Sequence, residues 1–124
     1  QRIVRQVCPH CKELYEPSPE IVTAIKTVLG NVLPKAFATG QPIRLARGKG
    51  CDECNQSGYM GRIGIFEILR GSPAVNKLVM SEASSQEIEM QARNEGMVLM
   101  KQDGYLKALA GLTTIDEVMR VTEA

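Results

Sequence analysis

Apolar residues near the start of the chain recur at the three- and four-residue spacing of one face of an α-helix. The stripe consists of Ile21, Ile25, Val28 and Val32. Ser18 before it supplies a capping hydroxyl and Pro19 a favourable first-turn residue, whereas Gly30 weakens the pattern and Pro34 ends it. We therefore predict an amphipathic helix here, followed by a loop over residues 34–41.

Alternating or continuous apolar residues predict β-strands at three places. The segments are residues 2–5, 43–47 and 63–69, of which the last is the most apolar. The glycine-containing stretch over residues 58–62 comes before the third segment and is typical of a turn. We predict that residues 42–47 pair with residues 63–69 as an antiparallel hairpin.

The pattern changes to helices after Gly71. Ser72-Pro73 predicts a short helix through Met80. Ser84 with Glu87 matches a capping box for a helix that ends near Gly96.

Two more helices are predicted towards the end of the chain. One covers residues 97–110 and is ended by Gly111, and Thr114 with Glu117 matches a capping box for the last, which runs through Val121. The apolar residues Met97, Met100, Leu106 and Leu109 are expected to form the core of these helices rather than a set of ligands.

Composition places the chain among ordinary globular domains. It has 124 residues, of which 44% are hydrophobic and 23% charged, and its net charge is +1. This balance gives no general attraction to nucleic acid or to anionic membranes, and no apolar run is long enough for a membrane span. Because Gln1 begins within a strand-like phrase, we expect the chain to be a piece of a longer protein.

All four cysteines occur in two C-x-x-C pairs, Cys8 with Cys11 and Cys51 with Cys54. Two such pairs suit one tetrahedral Zn²⁺, because each turn can direct two sulfurs at the same ion. Pro9 restricts the first turn, and Asn55 tolerates the left-handed backbone that the second often needs. A shell of four thiolates leaves no open position for water or substrate, so a structural rather than catalytic zinc is predicted.

Other states of these cysteines remain open. Two disulfides would require an oxidising compartment, to which no hydrophobic signal segment in the sequence points, and free thiols are a further alternative. Iron is chemically compatible with the same four sulfurs. His10 lies inside the first pair, and we expect it to be a solvated residue at the tip of the turn rather than a ligand.

These elements together predict an α+β fold: a small antiparallel β element, closed by zinc, followed by a mostly α C-terminal lobe. The stretch over residues 12–50 is long for an insert between two metal-binding turns, so the metal would join segments that are distant in sequence. We predict a zinc-binding module with an inserted helix over residues 1–71 and a helical lobe over residues 72–124.

Charged residues near these features have two interpretations each. Arg44, Arg47 and Lys49 would suit nucleic acid, but a solvated strand edge beside a negative four-thiolate site is favoured. Arg62 and Glu67 flank the predicted strand and would suit a contact with a neighbouring subunit, although an ordinary surface role explains them equally well.

The sequence also resembles a known family. The similarity is carried by residues 1–5 before the first cysteine pair, residues 50–55 and 58–67, and, in the tail, Asp103-Gly104 and residues 111–122. These stretches are similar to the C-terminal tetracysteine region of the type II secretion and type IV pilus assembly ATPases. The resemblance covers nearly the whole chain except residues 16–41. The cysteine module is missing in the related retraction motors, so its presence favours an assembly or secretion motor.

The resemblance implies a cytoplasmic hexameric motor that works at the inner membrane through its partners. Those partners would be the RecA-like core of the same protein, adjacent protomers and inner-membrane platform proteins, without a membrane span and without nucleic acid. ATP and Mg²⁺ would bind only in the core, because the chain has no G-x-x-x-x-G-K-[ST] loop and Gly48-Lys49 is followed by Gly50. The chain itself is therefore expected to be a zinc-binding structural and interaction module, not an enzyme.

One alternative belongs to a different class. The stretch from Cys51 to Gly58 is faintly similar to chaperone zinc repeats, which would suit a free-standing zinc-ribbon adaptor for nucleic acid or a protein client. The sequence upstream of Gln1 discriminates the two, since a P-loop there would indicate the motor.

Overall fold

Two small antiparallel sheets and six α-helices form the fold in the computed structural model, which describes residues 1–123. The α+β class predicted from the sequence is confirmed. The strands are β1 (Arg2–Val7), β2 (Lys12–Tyr15), β3 (Leu45–Gly48) and β4 (Tyr59–Ile65). The helices are α1 (Pro19–Leu29), α2 (Lys35–Ala38), α3 (Pro73–Met80), α4 (Ser85–Asn94), α5 (Met100–Leu109) and α6 (Ile115–Thr122).

The chain divides into two compact units. The first contains residues 1–66 together with the stretch from Met100 onward, and the second contains residues 67–99. This division differs from the predicted domains 1–71 and 72–124, because α5 and α6 pack with the strands of the first unit. The assignment of residues 1–71 to a zinc-binding module and of residues 72–124 to a helical lobe stays a prediction.

The strands pair crosswise between the two C-x-x-C segments. Strand β1 pairs with β4 and β2 pairs with β3, both antiparallel. The predicted hairpin of residues 42–47 with residues 63–69 is therefore wrong. Residues 59–62, predicted as a turn, belong to β4, and this strand ends at Ile65. Because β1 and β3 lead into the cysteine pairs while β2 and β4 leave them, crosswise pairing brings both pairs to one end of the sheets.

The hydrophobic core of the first unit draws residues from strands and helices alike. Its buried members are Val4, Ile25, Leu29, Ile43, Leu45, Ile65, Tyr105 and Val118. Helix α1 contributes Ile25 and Leu29. Of the predicted stripe, Ile25 is buried and Val28 is partly buried against this core, whereas Ile21 is exposed. Met100, Leu106 and Leu109 are partly buried against the same core, so they serve as packing residues, but in a core shared with the strands.

Most predicted helix ends are confirmed by side-chain caps. The hydroxyls of Ser18 and Ser72 accept hydrogen bonds from the third residue after each of them, and Gly30 adopts a positive φ at the end of α1. Ser84 and Glu87 form the predicted capping box of α4. Helix α5 begins at Met100, later than predicted, and part of the predicted loop over residues 34–41 forms the short helix α2.

The second unit consists mainly of α3 and α4. Val75 and Ala92 are its buried residues, and the Ser72 hydroxyl donates to the Glu95 carboxylate at 2.8–2.9 Å, which ties the start of α3 to the end of α4. Ile68 and Met80 are 70% and 84% exposed. This unit therefore has a small core and a large share of apolar surface.

Helix α6 departs from the sequence prediction at its first turn. The Thr114 hydroxyl accepts from the backbone N–H of Glu117, as expected, but the Glu117 carboxylate does not return to Thr114. It accepts instead from the backbone N–H and the guanidinium of Arg5, at 2.9 and 2.6 Å, and from the guanidinium of Arg120. The carboxylate is 2% exposed and links the first strand to the last helix.

Neighbouring contacts extend this link along the free edge of β1. The Thr113 hydroxyl donates to the Arg5 carbonyl at 2.8 Å, and the Val7 N–H donates to the Leu112 carbonyl at 3.0 Å. The Arg5 guanidinium also lies 4.3 Å from the centre of the Tyr59 ring. Residues 112–117 thus satisfy strand groups that would otherwise stay unpaired.

None of the helices within residues 1–123 is both long enough and apolar enough to cross a lipid bilayer.

We predict that the Glu117 carboxylate makes the fold sensitive to acid. Burial disfavours its charge, but the hydrogen bonds from Arg120 and Arg5 outweigh this and lower its pKa from 4.5 to about 2. A carboxyl whose pKa is lower in the folded state adds stability above its unfolded pKa and loses it as pH falls. The free energy of unfolding should therefore drop by roughly 1–3 kcal/mol more than other groups explain between pH 4.5 and 2.

The measurement is the difference in denaturant unfolding between the wild-type chain and Glu117→Gln at each pH, both at the same metal concentration so that acid release of the metal affects them equally. The variant should be less stable at pH 7, and its stability should depend less on pH. Parallel pH profiles for the two proteins would contradict the prediction.

Candidate metal centre

The four cysteine sulfurs converge at the end of the sheets where β1 and β3 lead into the two turns. All four Sγ atoms lie within 4.8 Å of one another. Cys8 and Cys51 approach to 3.9 Å, as do Cys11 and Cys54, and Cys51 and Cys54 are 3.6 Å apart. The four cysteines are free thiols, and these distances far exceed the roughly 2 Å of a disulfide bond.

This spacing fits a tetrahedral metal ion. Four sulfurs at about 2.3 Å from a central Zn²⁺ lie about 3.8 Å apart along each edge of a regular tetrahedron. Three of the six Sγ–Sγ distances, at 3.6–3.9 Å, match that edge, and all six are within 4.8 Å. Each sulfur of one pair has a neighbour in the other pair, 43 positions away in the sequence, so the donor set is shared between two segments.

Backbone N–H groups surround the sulfurs unequally. The Gly50 N–H donates to Cys11 Sγ at 3.3 Å, whereas Cys54 Sγ receives the N–H groups of Cys51 and Gly58 at 3.4 and 3.3 Å. Such donors stabilise thiolate charge, which suits a dianionic four-thiolate zinc site. Cys8 and Cys54 are buried, so the centre is closed on the side of the protein core.

The same environment separates the pKa values of two of the thiols. Burial raises the pKa of Cys54, but N–H donation from Cys51 and Gly58 prevails and lowers it to about 6. Burial raises the pKa of Cys11 to about 12, and the single N–H of Gly50 only partly offsets it. Without metal, the cluster therefore mixes thiolate with protonated thiol, and a divalent ion must displace protons to gather four thiolates.

Two glycines allow the turns to approach each other. The backbones of Gly48 and Gly58 are so close that a Cβ on Gly58 would lie 2.6 Å from the Gly48 carbonyl oxygen. Gly58 also accepts the N–H of Cys8 at 2.9 Å while donating its own N–H to Cys54. Asn55 adopts the left-handed conformation predicted for it, with φ of 54°.

The other residues singled out from the sequence lie in ordinary surroundings. His10 is exposed at the tip of the first turn. Arg47 and Lys49 pair with Glu13 on β2 at 2.7 and 3.2 Å, and the hydrogen bond from Arg47 lowers the pKa of that carboxyl. Arg44, Arg62 and Glu67 are exposed. The predicted basic strand edge is therefore partly neutralised by an acid that the sequence reading did not connect to it.

Comparison with known proteins identifies related sequences. A family model described as "Type II/IV secretion system protein" matches residues 1–120. The type IV pilus assembly ATPase PilB of Pseudomonas aeruginosa is 38% identical over 99% of the chain. The type II secretion system protein E of the same organism is 40% identical over 98% of the chain, and the type II secretion system ATPase E of Vibrio cholerae is 39% identical over 99%.

The chain spans only about a fifth of the length of these relatives, which is 20% of the first and 22% of the other two.

We predict that a side chain at position 58 destabilises the fold. Gly58→Ala should lower the free energy of unfolding by about 1–3 kcal/mol more than Gly40→Ala, because the new methyl group collides with the Gly48 carbonyl. Gly40 is a matched control, since it also has a positive φ, of 109° against 80°, but a Cβ there meets no atom within 4 Å. Equal losses in denaturant unfolding would show that the close approach is unimportant.

Proposed function

The chain belongs to the type II/IV secretion system protein family, and we propose that it is a zinc-binding structural and contact module from the C-terminal part of an assembly ATPase. The observation that carries the proposal is the convergence of Cys8, Cys11, Cys51 and Cys54 at tetrahedral spacing. Family membership over residues 1–120 supplies the context.

The activity of the longer protein forms part of this proposal. Relatives named as type IV pilus assembly ATPases and type II secretion proteins match the chain over nearly its full length. We infer that the longer protein hydrolyses ATP with Mg²⁺ in a separate RecA-like core, forms a hexamer, and drives secretion or pilus assembly from the cytoplasmic side of the inner membrane. The present chain contributes neither nucleotide site nor catalytic residue.

Within the module, Cys8, Cys11, Cys51 and Cys54 would hold one Zn²⁺. The ion supplies rigidity rather than reaction chemistry, because four sulfurs complete its coordination. The chain supports it with the N–H groups of Gly50, Cys51 and Gly58. The result is a fixed geometry for the ends of all four strands.

Exposed apolar side chains support a role in contact. Ile3 on β1 and Phe66 just after β4 are 58% and 42% exposed in the first unit. In the second unit, Ile68 and Leu69 are exposed as well. Apolar surface of this kind suits the remainder of the same protein, an adjacent protomer or an inner-membrane platform protein. The alternative of a nucleic-acid adaptor is not favoured, since Arg47 and Lys49 are already paired with Glu13.

We predict one zinc per chain. Elemental analysis of the reduced, folded chain should find a stoichiometric metal, and cobalt substitution should give the intense visible absorption of a tetrahedral thiolate site. Removing the metal should lower stability strongly, because binding free energies in small zinc modules are on the order of 10 kcal/mol and appear as folding free energy.

Cys51→Ser should lose the metal, whereas the control His10→Ala should keep it, because His10 is exposed at the tip of the turn. A folded, reduced chain without metal would refute the zinc assignment. Iron in place of zinc in the elemental analysis would show that the alternative ion occupies the site.

We also predict that the centre matters to the longer protein through contact. Cys51→Ser in that protein should impair secretion or piliation while the ATP-binding loop stays intact, with weaker hexamer formation or platform binding. Size-exclusion chromatography and a transport assay, with His10→Ala as the control, test this. If the variant lost its metal yet assembled and supported transport like wild type, the zinc would be only a local stabiliser.

A further inference from the structure

A groove of about 840 Å³ opens beside the metal centre, within the first unit. Its lining includes Lys12 and Leu14 of β2, Leu109 at the end of α5, and Phe37 and Pro42. Leu14 is 61% exposed in the groove although it sits in the middle of a strand. Its volume lies in the range of sites that bind ligands or peptide side chains.

The groove carries unpaired positive charge. Lys12 and Arg44 both line it, and neither side chain forms an ion pair or a hydrogen bond within residues 1–123. Glu13 also reaches its edge, but Arg47 and Lys49 already neutralise that carboxylate. A Cβ on Gly111, which follows α5, would lie 2.8 Å from Lys12 Nζ, so the ammonium lies near the C-terminal end of this helix, where the helix dipole favours a cation.

The spacing of the two cations matches an extended chain. Tyr15 pairs with Leu45 and Lys12 with Gly48, so Arg44 lies one position beyond the paired strands, at the end opposite Lys12. The backbone positions of the two residues are therefore four residues apart along the strand direction, or about 13 Å. In an extended peptide, residues i, i+2 and i+4 point to one side and span the same about 13 Å.

We propose that this groove binds an extended segment of a partner protein with the pattern acid, any residue, apolar residue, any residue, acid. The two carboxylates meet Lys12 and Arg44, and the apolar side chain covers Leu14. The inference rests on the contact role proposed above and assigns it a surface and a partner chemistry.

A separate polypeptide is the occupant that the sequence favours. The only acids four positions apart in the chain are Glu16 and Glu20, and the residue between them is the polar Ser18. A second copy of the chain therefore offers no segment with the required apolar centre.

The test is NMR titration of the metal-loaded 124-residue chain with the peptide Ser-Glu-Ser-Leu-Ser-Glu-Ser. Saturable shifts should concentrate at the amides of Lys12, Leu14, Phe37, Arg44 and Gly111. The peptide with both acids replaced by lysine should produce no such shifts, and added salt should weaken binding by the acidic peptide, because the pairs are exposed.

Substitutions of groove residues test whether the peptide binds at this site. Arg44→Glu should weaken binding about three- to tenfold, and Leu14→Ser should weaken it similarly, whereas Lys77→Glu, the same charge change on exposed α3, should leave it unchanged. Arg44 is exposed and unpaired, so its substitution leaves the fold intact, and a dispersed spectrum verifies this.

Each of three titration results overturns the inference: no saturable shifts at millimolar peptide, equal binding of the acidic and lysine peptides, or insensitivity to both Arg44→Glu and Leu14→Ser. Groove shifts that appear on concentrating the chain alone would make a second copy the occupant and also overturn it. Metal content is measured in the same samples. A failed titration with metal retained therefore refutes the groove and leaves the proposed zinc module standing.

Discussion

A single buried carboxylate, that of Glu117, joins the first strand of the fold to its last helix across 112 positions of sequence. A buried charge of this kind is costly unless charged partners and hydrogen bonds compensate it. Here four N–H donors from Arg5 and Arg120 do so, and one of them is the backbone N–H of β1 itself. The interaction therefore fixes the strand edge as well as a side chain. Since β1 pairs with β4 and leads directly to Cys8, the position of the cysteine cluster depends on it.

Because the strands pair crosswise, the cysteine cluster links the two small sheets at one end. Each C-x-x-C turn connects one strand of the β1–β4 sheet to one strand of the β2–β3 sheet. Neither two-stranded sheet is expected to be stable alone, because a pair of strands buries little surface. An ion held by all four sulfurs would fix the ends of both sheets together. The close approach of the Gly48 and Gly58 backbones also brings the ends of the two sheets together.

Local signals predicted the parts of this structure that local chemistry determines. Ser18, Ser72 and Ser84 cap the helices as their spacing indicates, and the four cysteines stand together as their two pairs suggest. Contacts between residues that are distant in sequence could not be predicted from these local signals. Thr114 and Glu117 have the spacing of a capping box, yet the carboxylate is drawn to Arg5, because a buried strand N–H and a guanidinium compete for it better than one helix N–H. Strand β2 was missed because the sequence Lys-Glu-Leu-Tyr has no apolar alternation strong enough to indicate it.

The proposed metal centre and the proposed groove are connected through the backbone. Lys12 directly follows Cys11, and the Cys11 carbonyl accepts the N–H of Lys49, which follows β3. The first pair of the β2–β3 ladder, Lys12 opposite Gly48, therefore lies next to a sulfur ligand. A metal ion that holds Cys11 would hold the cation at the near end of the groove. Arg44 lies one position beyond the far end of the same short sheet, so the spacing of the two backbone positions follows from the strand register. In this arrangement a metal centre that catalyses no reaction would still influence which partner segment the groove binds.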